Sequence, residues 1–378
     1  MSLWFVSAAV LADMLREVQL SPFRQAALSS GVQAGFVIGA LGAAILGLAD
    51  RFDPRRVLAS AAVGAGFVNA VLLTVDPGSI VAILARIATG ALLAGVYPVG
   101  MKIAVGWGLK DRGFLVGVLV GGTVLGSAAP HSFALAGGTD WRLSVGVASL
   151  AAIAGGLMCL AVSLGPYHGR TAKFHPRMIT VAWTNRRVRL AYAGYLGHMW
   201  ELYAMWAWIA AATAVSYGVS LPMLEAERLA KLTAFLSIGA GGIACGIAGL
   251  VADRIGKANL TIIAMAISGV SALAAASTFG GPIWVTFVIV VIWGASIVPD
   301  SPQFSALVAD ASPPEQAGSL LTLQTALGFA LTIGTVQVTP LVAATFGWPL
   351  LLAALALGPA FGIVAMMRLR SLMSASGP

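Results

Sequence analysis

The sequence predicts an all-α integral membrane protein with about twelve transmembrane helices. Of its 378 residues, 59% are hydrophobic and only 10% are charged, and the mean hydropathy is +0.92. A water-soluble globule usually has about a quarter of its residues charged. A membrane-spanning helix needs roughly 20 apolar residues, so the chain has room for about a dozen spans and little for a soluble catalytic domain. Stretches such as 57–75 are apolar on every face, unlike the alternating strands of a membrane β-barrel.

Apolar runs separated by charged or Gly/Pro-rich connections indicate where each helix lies. The twelve predicted spans cover residues 1–18, 29–49, 57–75, 79–106, 113–135, 142–165, 190–217, 231–251, 259–279, 283–308, 318–344 and 347–367. Each run is long enough to cross the hydrocarbon core as a helix, with the first the shortest. Short connections of this kind are typical of a multi-pass bundle.

The basic residues indicate the orientation of these spans. If alternate connections share a side, fifteen of the 22 Lys and Arg lie on one side, five on the other, and Arg86 and Lys102 lie within spans. The positive-inside rule makes the basic side cytoplasmic. We therefore expect a multi-pass protein of a bacterial cytoplasmic membrane, with both termini cytoplasmic in the full-length form. Membrane topology explains the net charge of +8 better than a nucleic-acid partner does.

A basic linker divides the chain into two similar halves. Residues 166–189 contain six Lys or Arg and no acid, so we expect six-helix bundles over 1–165 and 190–378. Asp-Arg pairs follow the second and the eighth spans, at Asp50 and Asp253, and are 203 residues apart. This offset predicts a duplicated six-helix unit.

The same offset makes the first span unusual. Carried back by 203 residues, Met1 corresponds to a position about fourteen residues inside the seventh span, which starts near Leu190. We therefore expect a first helix that is truncated on its cytoplasmic side. A simple difference in length between the two halves is the alternative.

The two Asp-Arg connections have the features of a gating loop. Residues 249–257 read Gly-Leu-Val-Ala-Asp-Arg-Ile-Gly-Lys, and the earlier copy keeps the Asp-Arg pair. An aspartate at a helix end interacts with the positive N-terminus of a neighbouring helix, and arginine binds carboxylates or lipid phosphates. Asp50, Arg51, Asp253 and Arg254 are therefore candidate gating residues. Charge that only sets topology is the alternative.

The fourth span contains an arginine inside an apolar run. Arg86 lies four residues before Gly90, and Tyr97 and Pro98 follow. Such an arginine is costly in hydrocarbon and normally faces a partner or a water-filled cavity, which favours proton coupling or attraction of an anion. Snorkelling to the outer surface is the alternative. Tyr97 is a candidate residue of the substrate cavity.

These features together resemble the major facilitator superfamily of secondary transporters, over essentially the whole chain. The loop motif at 249–257 and the Arg86, Gly90 and Pro98 pattern match that family's motifs. The glycine-rich fifth span resembles the family's exchanger motif but lacks its Gly-Pro pair. The resemblance implies two six-helix bundles that rock about a central cavity by alternating access.

The seventh span carries the most informative polar residues. Tyr195, His198 and Glu201 recur every three residues, and Trp208 follows seven residues later, which predicts one helical face. At roughly 1.5 Å per residue, Glu201 lies near the bilayer midplane. It is a candidate proton carrier, with His198 or Arg86 as partner, while Tyr195 and Trp208 are candidate cavity residues. A buried pair that only fixes packing is the alternative.

The tenth span repeats this pattern. Ser296, Asp300 and Gln303 have helical spacing and are interrupted by prolines, which break helices and often line transporter cavities. Asp300 is the second candidate proton carrier. Ser296 and Gln303, together with Gln324 of the eleventh span, are candidate cavity residues.

We therefore expect a proton-coupled secondary transporter of a small organic solute, with an anion as one option. A drug or metabolite efflux antiporter is the alternative within this class, and an integral-membrane enzyme or sensor is the alternative outside it. The four scattered histidines do not form a recognisable metal site, and no cofactor is expected. The expected partners are the solute, protons and membrane lipids, and we expect a monomer.

Overall fold

The computed structural model describes residues 1–46, 51–108, 112–167 and 178–375, and in these ranges it is helical with no strand. The predicted all-α membrane fold is therefore confirmed. Within the described residues, ten helical segments are long and apolar enough to cross a membrane. The other two predicted spans are the short first one and the seventh, whose helix carries a polar face.

The helices follow the predicted order. In the N-terminal half they are α1 (Ser2–Ala9), α2 (Leu11–Glu17), α3 (Pro22–Leu46), α4 (Pro54–Ala70) with a 3-10 turn (Val71–Leu73), α5 (Ile80–Leu93), α6 (Tyr97–Val105), α7 (Arg112–Gly137) and α8 (Trp141–Cys159). In the C-terminal half they are α9 (Met178–Thr184), α10 (Arg186–Tyr217), α11 (Met223–Ile255), α12 (Lys257–Ser277), α13 (Ile283–Ser296), α14 (Ser301–Asp310), α15 (Pro314–Phe346), α16 (Trp348–Leu355) and α17 (Leu357–Ala375).

Four predicted spans are interrupted rather than continuous. The breaks are at Val10, at 94–96, at 297–300 and at Ala356. The break at 297–300 contains Pro299, which lacks the N–H of a helical hydrogen bond. Pro98 and Pro302 lie in the first turn of the helices after two of the breaks, where the missing N–H costs little.

The seventh span begins earlier than predicted, at Arg186 instead of Leu190. The Asn185 side chain accepts hydrogen bonds from the backbone N–H of Arg187 and Val188, at 3.0 and 3.3 Å. This is a standard N-cap, and it starts the helix inside the predicted linker. The arginines of the linker's end therefore belong to the first turn of α10. Residues 168–177 of the linker lie outside the described ranges.

The first span is short, as expected. Helices α1 and α2 have 8 and 7 residues, whereas α10 has 32. Met1 lies beside the middle of α7, where a Cβ added to Gly126 would be 3.4 Å from the Met1 Cβ. The first residue of the chain is therefore at mid-depth in the bundle.

Two seams join the halves. Helix α7 packs on α11, and α3 packs on α15. At the first seam a Cβ on Gly121 would lie 3.0 Å from the Gly242 carbonyl oxygen, and a Cβ on Gly242 would lie equally close to that of Gly121. The two glycines therefore permit a close approach of the backbones.

Candidate functional site

A cavity of about 1950 Å³ lies between the two halves. Its mouth contains Arg51 and Arg56 from the connection after the second span, and Asp253 and Lys257 from the connection after the eighth. The cavity therefore opens on the side that carries most of the basic residues. Both halves contribute to its wall, as expected for a binding site between two bundles.

Ion pairs between the halves close the opposite end. The Lys231 Nζ lies 2.5 Å from the Asp13 Oδ2 and donates to the Gly138 carbonyl at 3.2 Å. Arg16 pairs with Asp13 at 3.2 Å and with Glu227. Asp13 and Lys231 are 2% and 6% exposed. This set of four charges, Asp13, Arg16, Glu227 and Lys231, is named the outer network here.

Sequence reasoning did not find the outer network. Asp13 and Arg16 are three residues apart, and Glu227 and Lys231 are four apart, so each pair shares a helix face. Both pairs lie at the outer ends of their spans. The sequence signal for the outer network was an acidic and a basic residue at the outer end of each of two spans. Because 218 residues separate Asp13 from Lys231, no local pattern linked the two pairs.

An aromatic layer lies between the outer network and the cavity. Trp4 of α1 lies 5.7 Å from Tyr203 and 5.1 Å from Phe329, ring centroid to ring centroid. Phe36 of α3 lies 4.6 Å from Phe329. All four rings line the cavity, and they come from both halves. The closed end of the cavity is therefore aromatic and apolar.

Three of the predicted cavity residues lie in the wall: Tyr97, Tyr195 and Gln303. Helix α15 comes close to α10 at Gly328, where an added Cβ would be 2.3 Å from the Tyr195 ring. A side chain at this position would displace the tyrosine, so the absence of one at Gly328 leaves room for the Tyr195 ring. Helices α6 and α14 carry Tyr97 and Gln303 in the first turns after their breaks.

Three other predicted cavity residues, Trp208, Ser296 and Gln324, lie outside the wall. The Trp208 indole donates to the Val336 carbonyl at 3.1 Å, and the Ser296 hydroxyl donates to the Trp293 carbonyl at 3.0 Å. Gln324 is 1% exposed and buried away from the cavity. At about 100° per residue, Trp208 is rotated roughly 140° from Tyr195, so the two residues do not share a face.

The same rotation explains where Glu201 lies. Each three-residue step turns the direction by about 60°, so Glu201 points into the C-terminal half instead of the cavity. Its Oε1 accepts from the Trp293 indole at 2.7 Å, and its Oε2 accepts from the Ser268 hydroxyl at 2.9 Å. The expectation that Glu201 pairs with His198 or Arg86 is wrong.

His198 contacts the second buried acid. Its Nδ1 lies 3.0 Å from the Asp300 Oδ1, and both side chains are almost fully buried. Asp300 directly precedes α14, whose Ser301 and Gln303 line the cavity. The pair therefore lies immediately behind the cavity wall. The His198 Nε2 has no hydrogen-bond partner among the described residues.

Arg86 lies away from both acids. Its guanidinium donates to the carbonyls of Leu3, Trp4 and Leu28 at 2.8, 2.8 and 2.9 Å, and to the Asn69 side chain at 2.7 Å. It is completely buried, so the snorkelling alternative is wrong. These contacts join α1, α3 and α4 to α5. The four acceptors are neutral.

The predicted gating residues occupy different positions at the mouth. Arg51 and Asp253 line it, Arg254 is exposed and outside the wall, and Asp50 lies outside the described residues. Asp53, close to Arg51, caps α4 and binds the Arg55 guanidinium at 2.7 Å. The Arg55 side-chain hydrogen bond lowers the pKa of Asp53 to about 2.

Comparisons with known proteins agree with this architecture. The family model described as Major Facilitator Superfamily matches residues 1–333. A search of curated proteins found no match. A solved structure of a D-xylose-proton symporter has a TM-score of 0.74 and 14% identity, covering 97% of this chain and 94% of that one. The nucleoside transporter NupG has a TM-score of 0.72 and 14% identity, covering 97% and 96%.

A second symporter structure, of XylE bound to 6-bromo-6-deoxy-D-glucose, has a TM-score of 0.73. It has 15% identity and covers 97% of this chain and 93% of that one. At such identities the likeness concerns the fold. The chain therefore shares its overall helical fold with these structures.

Proposed function

The chain belongs to the Major Facilitator Superfamily, and we propose that it moves a small organic solute by proton-coupled alternating access. As a member of this family with this fold, it is a transporter and not an enzyme. The proposal places it as a monomer in a bacterial cytoplasmic membrane, in contact with lipid.

One observation carries the proposal: a cavity between the halves that is open at one end and closed at the other. The open mouth lies among the basic connections, which the positive-inside rule assigns to the cytoplasm. The closed end is held by the outer network and the aromatic layer. Separation of these contacts, with closure of the mouth, would open the same cavity to the other side.

Proton coupling is proposed at the two buried acids. The contacts of Glu201 come from Trp293 and Ser268, and Asp300 contacts His198. None of these partners carries a permanent charge. Ionisation of a carboxylate without a cation costs several kcal/mol inside a membrane, so each acid is a candidate proton carrier. Asp300 is the better-placed carrier because it lies directly behind the cavity wall.

The structural neighbours support a small polar solute. Two of them are named as proton-coupled xylose symporters and one as a nucleoside transporter. We propose a solute of comparable size here. An efflux antiporter is the second candidate, because the glycine-rich α7 partly resembles the exchanger motif. The direction of coupled proton movement distinguishes the two.

Proteoliposomes loaded with a pH-sensitive dye test the proposal. D-xylose and uridine are added outside in turn, and the luminal pH is followed. We expect saturable, solute-dependent pH change: acidification indicates symport and alkalinisation indicates antiport. The Asp300→Asn protein should lose this change. Absence of any solute-dependent proton movement, or flux that does not saturate, would contradict the proposed function.

A further inference from the structure

A histidine is buried in the closed end of the cavity. His131 of α7 lies four residues after Ser127 and seven before Gly138, and these spacings put the three residues on about the same side of the helix. Ser127 lines the cavity, and the Gly138 carbonyl accepts from Lys231 of the outer network. His131 therefore lies between the cavity and the outer network.

The packing of α7 on α11 brings His131 level with Lys231. The two helices run antiparallel, since Gly121 faces Gly242 near their middle and Gly138 contacts Lys231 at their outer end. Ten residues outward from the two glycines are His131 on α7 and residue 232 on α11. The Lys231 ammonium accordingly repels a positive charge on the imidazole.

The closed end offers nothing that would stabilise a protonated imidazole. His131 is 0% exposed, and neither ring nitrogen has a hydrogen-bond partner in the described part of the chain. A protonated histidine has two N–H donors and a full charge. Burial of that charge without acceptors, beside a second cation, is costly. The closed conformation therefore requires a neutral His131.

The carboxylates near this part of α7 already have cations. Asp13 and Glu227 bind Lys231 and Arg16. Helix α1 has no titratable side chain, and the Met1 amino nitrogen is 3.6 Å from a Cβ added to Gly126, more than a helical turn nearer the cavity. The remaining titratable groups on the elements packed against α7 lie at its outer end, on α8, or towards the cytoplasm, on α6 and α14: Asp140, Arg142, Tyr97, Lys102 and Asp310.

From these observations we propose that His131 is a proton-binding site that opens the outer end of the cavity. When the outer network separates, water reaches the imidazole and supplies a proton. The resulting charge, which is hydrated and repelled by Lys231, keeps α7 and α11 apart at this end. The inference rests on the alternating access of the proposed function and adds a proton site in the N-terminal half to the two buried acids of the C-terminal half.

The direction of the pH effect follows from linkage. A proton that binds the open conformation and not the closed one shifts the equilibrium towards the open one. An imidazole in water titrates at about pH 6.5. The closed conformation should therefore lose stability relative to the open one as the pH falls below about 6.5, by up to about tenfold in the equilibrium constant for each pH unit.

Spin-label distances across the outer end test the proposal in the purified full chain, held in lipid nanodiscs. The labels are placed at Thr74→Cys and Val219→Cys, two exposed residues at the outer ends of the two halves, in a protein without Cys159 and Cys245. Between about pH 8 and about pH 5.5, we expect the ratio of long to short distances to rise about tenfold. The carboxylates outside this pH range contribute little, because they titrate near pH 4.

Two substitutions separate the charge of His131 from its packing. His131→Gln is polar but does not titrate, and it should keep the short distance at both pH values. His131→Arg carries a permanent charge and should show the long distance already at about pH 8. Ser127→Ala is the matched control, because it changes the same side of α7 one turn away and removes a hydroxyl that does not titrate; its pH response should equal that of the wild type. Melting temperatures establish that each variant is folded.

Two results would overturn the inference: a wild-type distance that does not respond to pH, and an equal response in His131→Gln and the wild type. Lys231→Met keeps this inference distinct from the proposed function. If Lys231→Met opens the outer end and acid does not, His131 is not the switch, and alternating access stands. If acid opens the outer end but proteoliposomes show no solute-dependent proton movement, the transport function fails and the role of His131 stands.

Discussion

The Lys231 ammonium lies 2.5 Å from the Asp13 carboxylate, and this contact joins the two halves at the closed end of the cavity. The residues are 218 positions apart, and both are almost fully buried. Removal of one partner from a buried ion pair leaves an uncompensated charge. The Asp13–Lys231 ion pair is therefore expected to contribute much of the stability of the closed end.

Neutralising this pair should open the closed end. Lys231→Met leaves Asp13 with only Arg16, and we expect about 3–5 kcal/mol less stability of the closed conformation. Asp13→Asn combined with Lys231→Met should recover part of this loss. The measurement is labelling of a Thr325→Cys cavity reporter from each side, in a protein without Cys159 and Cys245. We expect labelling from the outer side to rise.

The Glu17–Arg142 pair provides a matched control. It also lies at the outer end, at 2.8 Å, but both residues belong to the N-terminal half and are about half exposed. Arg142→Gln should leave labelling from both sides unchanged, because exposed pairs contribute little. Equal labelling of wild type and Lys231→Met from the outer side would show that the outer network does not hold the cavity closed.

A methyl group at the seam between the halves should disfavour the present conformation. In Gly121→Ala the new Cβ would lie 3.0 Å from the Gly242 carbonyl oxygen, so the two backbones must separate. We expect fewer molecules open on the basic side, measured by spin-label distances across the mouth. Gly122→Ala is the control, since nothing lies within 4 Å of its added Cβ. Identical distance distributions for the two variants would refute a role for the seam.

The buried acids should be required for coupling and dispensable for binding. Asp300→Asn and Glu201→Gln keep the shape of each side chain but cannot carry a proton. We expect loss of solute accumulation driven by a pH gradient, with exchange of solute down its own gradient retained. Because Asp300 adjoins the cavity, its variant should show the larger loss. Asp310→Asn is the control, since Asp310 is exposed and pairs with Lys257.

Each acid is tested separately by this experiment. Full gradient-driven transport by Glu201→Gln would assign Glu201 a packing role through Trp293 and Ser268. The same result for Asp300→Asn would remove the His198–Asp300 pair from the mechanism. Loss of downhill exchange in either variant would indicate a role in binding or in the conformational change.

Arg86→Lys should destabilise the N-terminal half. A lysine presents one ammonium and cannot reach the four acceptors that the guanidinium binds at 2.7–2.9 Å. At about 1 kcal/mol or more for each buried acceptor left without a donor, we expect a melting temperature lower by several degrees. The ratio of proton to solute flux in the protein that remains folded should be unchanged. A changed ratio at normal stability would restore Arg86 to the coupling mechanism.

Composition and hydropathy were sufficient to predict the membrane fold, because most of the spans are apolar over a length that crosses the membrane. Proline and glycine also indicated several helix breaks. The orientation of single residues was harder to predict. A spacing of three residues drifts by about 60° per step, so Tyr195 reached the cavity whereas Glu201 did not.

The partners of Arg86 and Lys231 could not be predicted for a different reason. Arg86 is bound chiefly by backbone carbonyls, which every residue possesses and which leave no trace in a sequence. Lys231 binds a residue from the other half, and only the relative position of the halves brings the two together. Both contacts depend on tertiary packing more than on local pattern.

The closed end consists of two barriers in series that differ in kind. The outer network is electrostatic, so dissolved ions weaken it wherever water reaches it, whereas the layer of Trp4, Phe36, Tyr203 and Phe329 is insensitive to ionic strength. If a high salt concentration outside weakened the outer network, the aromatic layer would still close this end of the cavity. Protons would then not leak through the cavity, and the proton gradient across the membrane would be preserved.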